Sequence, residues 1–331
     1  MAINEDMLPV CRASQLDIQP PEQAWLIESI WAKSAVGIIG GAPKCCKSWF
    51  GLDMAVSVAS GTDCLGRFAV KQPGPVLVFM AEDACPAVRA RVQALCVQRR
   101  LDIEHLNLYV ITASTLRLDL AHDQQRLDAT LAHLKPRLLL LDPLVRLHRL
   151  DENSAADISK LLGFIRQMQR SHQTAIALVH HTSKKYRAEP GQQLRGSSDL
   201  HAFGDSNVYL ARKDRHVVMS VEHRTAGSMD PVHLDLISQP DDRTTHLEIA
   251  ANTAPDPTVT LADRLLLLLQ NADRPMTRTS MREHLKVNNQ RLGHTLTALE
   301  NQALILKTPK GWIPMATQPS KQPALNASLP S

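Results

Sequence analysis

The chain has 331 residues and a formal net charge of +4, with 37 lysines and arginines against 33 acidic residues. This length is enough for one large and one small domain, and the near balance of charge excludes a uniformly basic surface. The basic excess is local, because the segment 259–315 carries eight lysines and arginines against four acidic residues. Six cysteines without CxxC spacing argue against a zinc site or a disulfide framework and for a reducing compartment.

The N-terminus does not have the pattern of a signal peptide, because Glu5 and Asp6 interrupt it. No segment reaches the ~18 consecutive apolar residues that a transmembrane helix needs. The sequence therefore predicts a soluble, cytoplasmic protein with no membrane partner.

The first motif in chain order lies in the stretch 36–48, where a short apolar strand precedes a tight loop and a helix that begins at Lys47. This order is typical of a phosphate-binding loop, in which backbone N–H groups and the helix N-terminus hold the phosphates. A lysine then reaches the phosphates and a hydroxyl helps to hold Mg²⁺. Gly41, Lys47 and Ser48 stand at the expected positions.

The second glycine of that motif is replaced by Cys46. A Cβ at this position costs strain if the backbone needs a positive φ, and otherwise crowds the phosphates. The alternative interpretation is a strand–turn–helix that resembles the motif by chance.

Strands and helices alternate beyond this loop. The predicted strands are 75–80, 106–111, 138–141 and 175–179, and the predicted helices are 47–60, one that runs to about residue 100, 124–134 and 155–171. The alternation predicts an α/β fold, a parallel sheet with helices on both faces. Shorter edge strands are expected at 207–212, 217–222 and 232–236.

The C-terminal part predicts a separate unit over 259–315. Its expected elements are helices at 261–270, 277–285 and 288–301 and two short strands at 303–307 and 312–313. Ser280 and Glu283 have the spacing of a capping box in the second helix. Three helices and a hairpin predict a winged helix-turn-helix domain.

The expected domain organisation has five parts. They are a flexible lead-in at 1–24, a nucleotide-binding domain at 25–239, a linker at 240–258, the winged helix at 259–315 and a disordered tail at 316–331.

Four predicted strand ends carry polar residues, namely the loop itself, Glu82, Asp142 and the pair His180–His181. Ligands of open α/β sheets bind at the carboxyl ends of the strands. Each residue alone also has a structural interpretation, as a solvated turn, a strand-end aspartate or a packed histidine pair. Together, in this order, they predict a single site.

These residues resemble those of the RecA-like ATPases of the plasmid replicative helicase RepA type, often labelled AAA family. The resemblance covers about 25–238 and is carried by the segments 41–48, 78–83, 138–143, 178–184 and 194–198.

The resemblance implies ATP and Mg²⁺ as ligands. It implies that Lys47 neutralises the transferring phosphoryl group, that Ser48 and Asp142 hold Mg²⁺, and that Glu82 polarises the attacking water. The residues implied in nucleotide binding are Gly41, Ala42, Pro43, Lys44, Cys45, Cys46, Lys47, Ser48 and Trp49.

The resemblance also implies a γ-phosphate sensor and an arginine supplied by a neighbouring subunit. His181 is the expected sensor, because it stands three residues before Lys184, and His180 is the alternative. Such ATPases form rings, here expected to be hexameric. Arg224 is the best match to the trans-acting arginine, and Arg195 is the reserve candidate.

The basic loop 182–196 is expected to contact single-stranded DNA within the ring, through Lys184, Lys185 and Arg187. The alternative is a solvated loop without a nucleic-acid role.

In the winged helix, Gln290, Arg291 and His294 are expected opposite the leucines of the third helix, and Lys310 at the wing tip. Such a surface suits duplex DNA, although winged helices also dock proteins.

The sequence therefore predicts a Mg²⁺-dependent ring ATPase that acts on DNA, as a helicase or replication protein of a mobile element. Two alternatives stay open: a DNA-binding regulator whose nucleotide site is degenerate at Cys46, and a loader ATPase without strand-separating activity.

Overall fold

The computed structural model describes residues 10–15, 24–151, 154–181, 198–213, 216–238, 244–250, 260–272, 274–285, 287 and 289–315. The chain divides into two compact units, Met1–Thr253 and Ala254–Ser331. Within the described residues, no helix is both long and apolar enough to span a bilayer.

The first unit is built on a mixed sheet that has nine strands in the described residues. The strands of this unit are β1 Trp25–Ile27, β2 Trp31–Ala32, β3 Val36–Gly41, β4 Val76–Met80, β5 Leu108–Val110, β6 Leu138–Asp142, β7 Ala175–His181, β8 Ser206–Lys213, β9 His216–His223, β10 Val232–Ile237 and β11 His246–Ile249. The order across the sheet is β11-β10-β9-β8-β3-β7-β6-β4-β5, and β1 and β2 form a separate hairpin. The six strands from β8 to β5 are parallel, and β9, β10 and β11 extend the sheet in antiparallel fashion.

Helices cover both faces of this sheet, as the alternation of elements predicts. They are α1 Lys47–Ser60, α2 Cys85–Arg99, α3 Ala121–Leu134, α4 Ala155–His172 and α5 Ser198–Phe203. Strand β6 shows why the sheet is sandwiched, since Leu138 and Leu140 join the core beneath α1 and α2, while Leu139 and Leu141 join the core beneath α3 and α4. Full burial of each leucine contributes about 1.5–3 kcal/mol, so a strand that is apolar at every position is stable only between two helical layers.

Two parts of the sheet differ from the sequence-based expectation. Strand β8, expected as an edge strand, pairs in parallel with β3 and lies inside the sheet. Strand β11 lies within the stretch 240–258 that was predicted to be a linker, and it pairs with β10. The position of β8 depends on pairing with β3, which is far away in the sequence, whereas β11 pairs with the nearby β10 in a stretch whose proline, aspartate and threonine content favoured a linker.

The second unit contains three helices and a two-stranded antiparallel sheet within its described residues. These elements are α6 Leu261–Gln270, α7 Arg278–Leu285, α8 Asn289–Asn301, β12 Ile305–Thr308 and β13 Gly311–Pro314. The three leucines expected on one side of the third helix, 292, 296 and 299, are buried in its core.

The predicted capping box of the second helix is wrong. Ser280 lies inside α7, where its N–H donates to the hydroxyl of Thr277. The unit has a capping box at the start of α6 instead, where Thr260 and Asp263 satisfy each other's backbone N–H groups. A side chain inside a helix cannot cap it, because capping needs the extended backbone of the residue that precedes the first turn.

Candidate nucleotide-binding site

A pocket of about 310 Å³ opens at the carboxyl edge of the parallel strands. Gly41 at the end of β3 lies opposite His181 of β7, and Met80 at the end of β4 lies opposite Asp142 of β6. The residues that follow these strands therefore lie close together at this edge of the sheet. The pocket is lined by Lys44, Cys45, Cys46, Lys47, Ser48, Trp49, Glu82, Arg91, Asp142, His181, Arg212 and Leu236.

The loop between β3 and α1 has little room for additional atoms. A Cβ on Gly41 would lie 2.3 Å from the carbonyl oxygen of Leu210 and 2.6 Å from Sγ of Cys45. Cys46, immediately before α1, has a φ of 67° in the left-handed region. The strain expected of a non-glycine residue at this position is therefore present, at a cost of about 1–2 kcal/mol.

Lys47 occupies the first position of α1 and is only 5 % exposed. Its Nζ donates to the carbonyl oxygen of Ala42 at 2.8 Å and lies 3.8 Å from Sγ of Cys45. Burial lowers the pKa of Lys47, and Cys45 and Asp142 oppose that shift. A desolvated ammonium group folded against its own loop is suited to receive an anion.

Asp142 ends β6 and is 6 % exposed. Ser48 lies beside this carboxylate, whose Oδ2 is buried and has no hydrogen-bond partner among the described residues. Burial raises the pKa of Asp142 to about 6; the nearby Asp83 and Glu82 act in the same direction, against Ser48 and Lys47. An unsatisfied carboxylate oxygen beside a hydroxyl is the oxygen donor set that Mg²⁺ uses, together with water and phosphate. Ser48 and Asp142 therefore fit a Mg²⁺ site.

Glu82 and Asp83 follow β4, and each is paired with a different arginine. Nε of Arg146 donates to Oε1 of Glu82 at 2.8 Å, while Arg91 pairs with Asp83. The guanidinium of Arg91 also lies 5.7 Å from the ring centroid of Trp49. The two acidic residues after β4 are thus held by ion pairs, one to the turn after β6 and one to α2.

The two histidines at the end of β7 differ in position. His181 lines the pocket. His180 is 1 % exposed, and successive side chains of a strand point to opposite faces. Of the two candidates for the phosphate sensor, His181 is the one in the pocket wall.

The family described as an AAA domain, AAA_25, matches residues 5–187, which is more than half of the chain. The chain belongs to this family. It is an AAA domain of the RecA-like P-loop type. No curated protein matches the sequence.

Among solved structures, the chain is similar to one titled the crystal structure of the RadB recombinase. The TM-score is 0.46 and the identity 17 %, over 66 % of this chain and 91 % of that chain.

The sequence did not reveal three residues of the AAA-domain pocket, Arg91, Arg212 and Leu236. Leu210 of β8 pairs with Gly41, so two residues further on β8 reaches past the end of β3 and places Arg212 beside the loop. The guanidinium of Arg212 lies near the thiol of Cys46 and opposes the rise that burial causes in the pKa of that thiol. The signal that was missed is the position of β8 next to β3.

Three of the residues predicted to bind the nucleotide, Gly41, Ala42 and Pro43, belong to the loop but are not among the residues that line the pocket. Ala42 contributes through its carbonyl oxygen, which holds Lys47.

Arg224, the predicted trans-acting arginine, does not lie in this pocket. It follows β9, near the amino end of β8, where its guanidinium donates to the carbonyl oxygens of Ala202 and Phe203 at 2.6 and 3.1 Å. An ion pair of 3.5 Å joins it to Asp205. Arg195, the reserve candidate, lies outside the described residues.

Of the predicted DNA contacts, Lys184, Lys185 and Arg187 also lie outside the described residues. In the second unit, His294 and Lys310 are exposed and Arg291 is half-buried. Gln290 belongs to α8, but its side chain is outside the described part of the structure.

Proposed function

We propose that this AAA domain hydrolyses ATP with Mg²⁺ and acts on DNA. The observation that carries the proposal is the convergence of Lys47, Asp142 and Glu82 on one pocket beside a phosphate loop. A cation, a candidate metal ligand and a candidate base are the groups that phosphoryl transfer to water needs.

The pocket residues have distinct roles in this proposal. The β- and γ-phosphates bind the loop N–H groups at the start of α1 and the ammonium of Lys47. Ser48 and Asp142 hold Mg²⁺, which supplies positive charge to the phosphate oxygens when bound. Glu82 orients the attacking water and accepts its proton. His181 contacts the γ-phosphate from the end of β7.

The remainder of the nucleotide faces the opposite wall in our proposal. Arg212 and Leu236 offer a guanidinium and an apolar surface there. These two groups suit the polar sugar and the flat base, respectively.

We infer further that the enzyme is a ring, expected to be hexameric, of the RepA helicase type. Arg224 would then act on the nucleotide of a neighbouring subunit, and the basic loop 182–196 would contact single-stranded DNA. Arg224 lies near the amino end of β8, whereas the pocket lies at the carboxyl end of β3. These strands have six to eight residues and rise about 3.3 Å per residue, so Arg224 is too far away to reach the pocket of its own chain. This separation supports a role in a neighbouring subunit. The trans role requires Arg224 to leave the carbonyl groups of Ala202 and Phe203.

The second unit is proposed to be a winged helix that binds duplex DNA. Its three helices and hairpin support that assignment, and so do the exposed His294 on α8 and Lys310 in the turn between β12 and β13.

A specific observation favours a second candidate function, a DNA-binding regulator with a degenerate nucleotide site. Cys46 adds a side chain and backbone strain at the position where the motif has glycine. In such a regulator, nucleotide would bind weakly and would not turn over.

The test is the rate of ATP hydrolysis, measured with and without single-stranded and duplex DNA on material of known mass in solution. We expect Lys47→Ala to lower kcat by about 100-fold or more, because removal of one group that stabilises the transition state commonly costs that much. Lys160→Ala, an exposed substitution on α4, is the matched control and should hydrolyse ATP at the parental rate.

Single-stranded DNA is expected to stimulate hydrolysis at low salt and less at high salt, because phosphate contacts release counterions. A Lys47→Ala variant with parental turnover would remove the proposed active site. Measurable ATP binding without turnover, in the presence of either DNA, would favour the regulator.

A further inference from the structure

Arg146 and Glu82 meet across two neighbouring loops at the carboxyl edge of the sheet. Glu82 follows β4 by two residues, and Arg146 ends the short 3₁₀ turn Leu144–Arg146 after β6. The backbone N–H of Arg146 donates to the carbonyl oxygen of Pro143 at 3.0 Å, which fixes the turn. Because β4 and β6 are adjacent, both loops leave the same edge, and Nε of Arg146 reaches Oε1 of Glu82 at 2.8 Å.

The pairing of arginines with carboxylates is specific here. Asp83 is the immediate neighbour of Glu82 but pairs with Arg91 of α2. Glu82 in turn has Arg146 as its hydrogen-bond partner in the described part of the chain, and only through Oε1. The second oxygen, Oε2, is left for a group in the pocket that Glu82 lines.

A glutamate in this position needs an orienting partner. The side chain of Glu82 is 47 % exposed, and that of Arg146 is 62 % exposed. An exposed glutamate has several accessible rotamers, and fixing one of them costs conformational entropy. A base that acts in catalysis is commonly held by a third group, which removes that freedom before the reaction.

We propose that Arg146 is a positioning residue for hydrolysis, which holds Oε1 of Glu82 so that Oε2 faces the attacking water. The inference rests on the proposed function, because it assigns a partner to the base of that reaction. In the step itself, a water O–H bond breaks, its proton passes to Oε2, and the water oxygen bonds to the γ-phosphorus as the bond to the leaving ADP oxygen breaks. Arg146 keeps its hydrogen bond to Oε1 throughout.

The pair is well suited to a clean test, since exposed ion pairs contribute little to folding stability. The variants are Arg146→Ala, Arg146→Lys, Glu82→Gln and the double variant Glu82→Gln with Arg146→Ala. Arg89→Ala is the matched control, because Arg89 forms an exposed ion pair of 3.1 Å with Glu104 outside the pocket. Each variant is assayed for kcat, for KM and for the Kd of a non-hydrolysable ATP analogue.

We expect Arg146→Ala to lower kcat by about tenfold, with KM and the analogue Kd unchanged within about twofold, because misplacement of a reacting group affects the chemical step. Arg146→Lys should recover part of the loss, since it keeps the charge and a donor. Glu82→Gln should lower kcat by about 100-fold. In the Glu82→Gln background, removal of Arg146 should change kcat no further.

Two results would overturn the positioning role alone: parental kcat in Arg146→Ala while Glu82→Gln is slow, or an equal loss from Arg146→Ala in both backgrounds. Parental kcat in Glu82→Gln would instead overturn the assignment of the base in the proposed function. Arg89→Ala should match the parent, and a loss there would assign the effect of Arg146 to surface charge in general.

Discussion

The two ends of the central strands differ in how their buried charged groups are paired. At the carboxyl end, Lys47 is held by a carbonyl oxygen and a thiol, and Asp142 buries an oxygen that no described residue satisfies. At the amino end, Asp205 accepts hydrogen bonds from the backbone of Val36 and from Arg166, and it forms an ion pair with Arg224. Arg166 also donates to the carbonyl oxygen of Phe203 at 2.7 Å, which ties α4 to the end of α5.

This difference indicates that the carboxyl end is arranged to bind a ligand and the amino end to stabilise the fold. Burial of a polar or charged group without a partner costs free energy, so folding alone would not retain the arrangement at the carboxyl end. A fully partnered network costs little and holds elements together. We therefore expect substitutions at the carboxyl end to trade function against stability, and substitutions at the amino end to reduce stability without such a gain.

The largest effect is expected at Asp142. Asp142→Asn should stabilise the protein in the absence of Mg²⁺, because the ionised carboxylate is held in a buried site. A pKa raised from 3.8 to about 6 corresponds to about 3 kcal/mol, an upper limit for the gain. The folded state keeps its proton to a higher pH than the unfolded state, so this cost is absent below pH ~4 and complete above pH ~6. Urea denaturation with EDTA, from pH 4 to pH 7.5, measures it.

Hydrolysis with Mg²⁺ should fall by about 100-fold in the same variant, since it loses a charged metal ligand. A stability gain that is equal at pH 4 and pH 7.5 would contradict the origin of the gain in ionisation. A destabilised variant at pH 7.5 would break the distinction between the two ends of the strands.

Asp205→Ala should show the opposite behaviour. Its removal leaves Arg166 and the N–H of Val36 without their acceptor, and we expect a loss of about 2–3 kcal/mol in the free energy of unfolding. Thermal and urea denaturation measure the loss. The control is Asp128→Ala, which removes an exposed partner of His172 and should cost less than about 1 kcal/mol. Equal losses in the two variants would show that the network at the amino end is not a support.

The sequence predicted those parts of the site that follow from local pattern. An apolar run that ends in a polar residue shows where a strand stops, and Glu82, Asp142 and His181 were located in this way. Parallel pairing then requires such ends to lie at one edge, so a pocket containing Lys47 could be expected before the structure was known.

The remaining features depend on which strands are neighbours. Arg212 reaches the phosphate loop only because β8 lies beside β3, and the segment that became β8 looked like an edge strand. The contacts of Arg224 with α5 and Asp205 likewise depend on how distant elements pack, whereas its proposed trans role came from the resemblance alone. Strand β11 was missed for a different reason, because its surroundings are rich in proline, aspartate and threonine and favoured a linker, although it pairs with the nearby β10. Contacts over long sequence separations are not encoded in any window of the chain.

The smallest effect is expected at Cys46, where it concerns backbone strain. Cys46→Gly should raise the free energy of unfolding by about 0.5–1 kcal/mol, because glycine adopts a φ of 67° without steric cost, and part of the gain is lost to the freer unfolded chain. The substitution also removes a side chain from the pocket, so we expect tighter binding of ADP. Urea denaturation and calorimetric titration with ADP measure the two effects.

Arg100→Gly is the matched control for Cys46→Gly. Arg100 has a φ of 57° at the end of α2 and lies outside the pocket. Both variants should gain similar stability, but only Cys46→Gly should change the Kd for ADP. Such a result would show that a left-handed residue affects only stability at Arg100, but also weakens nucleotide binding at Cys46. If neither variant changes the Kd, the thiol of Cys46 lies clear of the phosphates, and the degenerate-site alternative loses its structural basis.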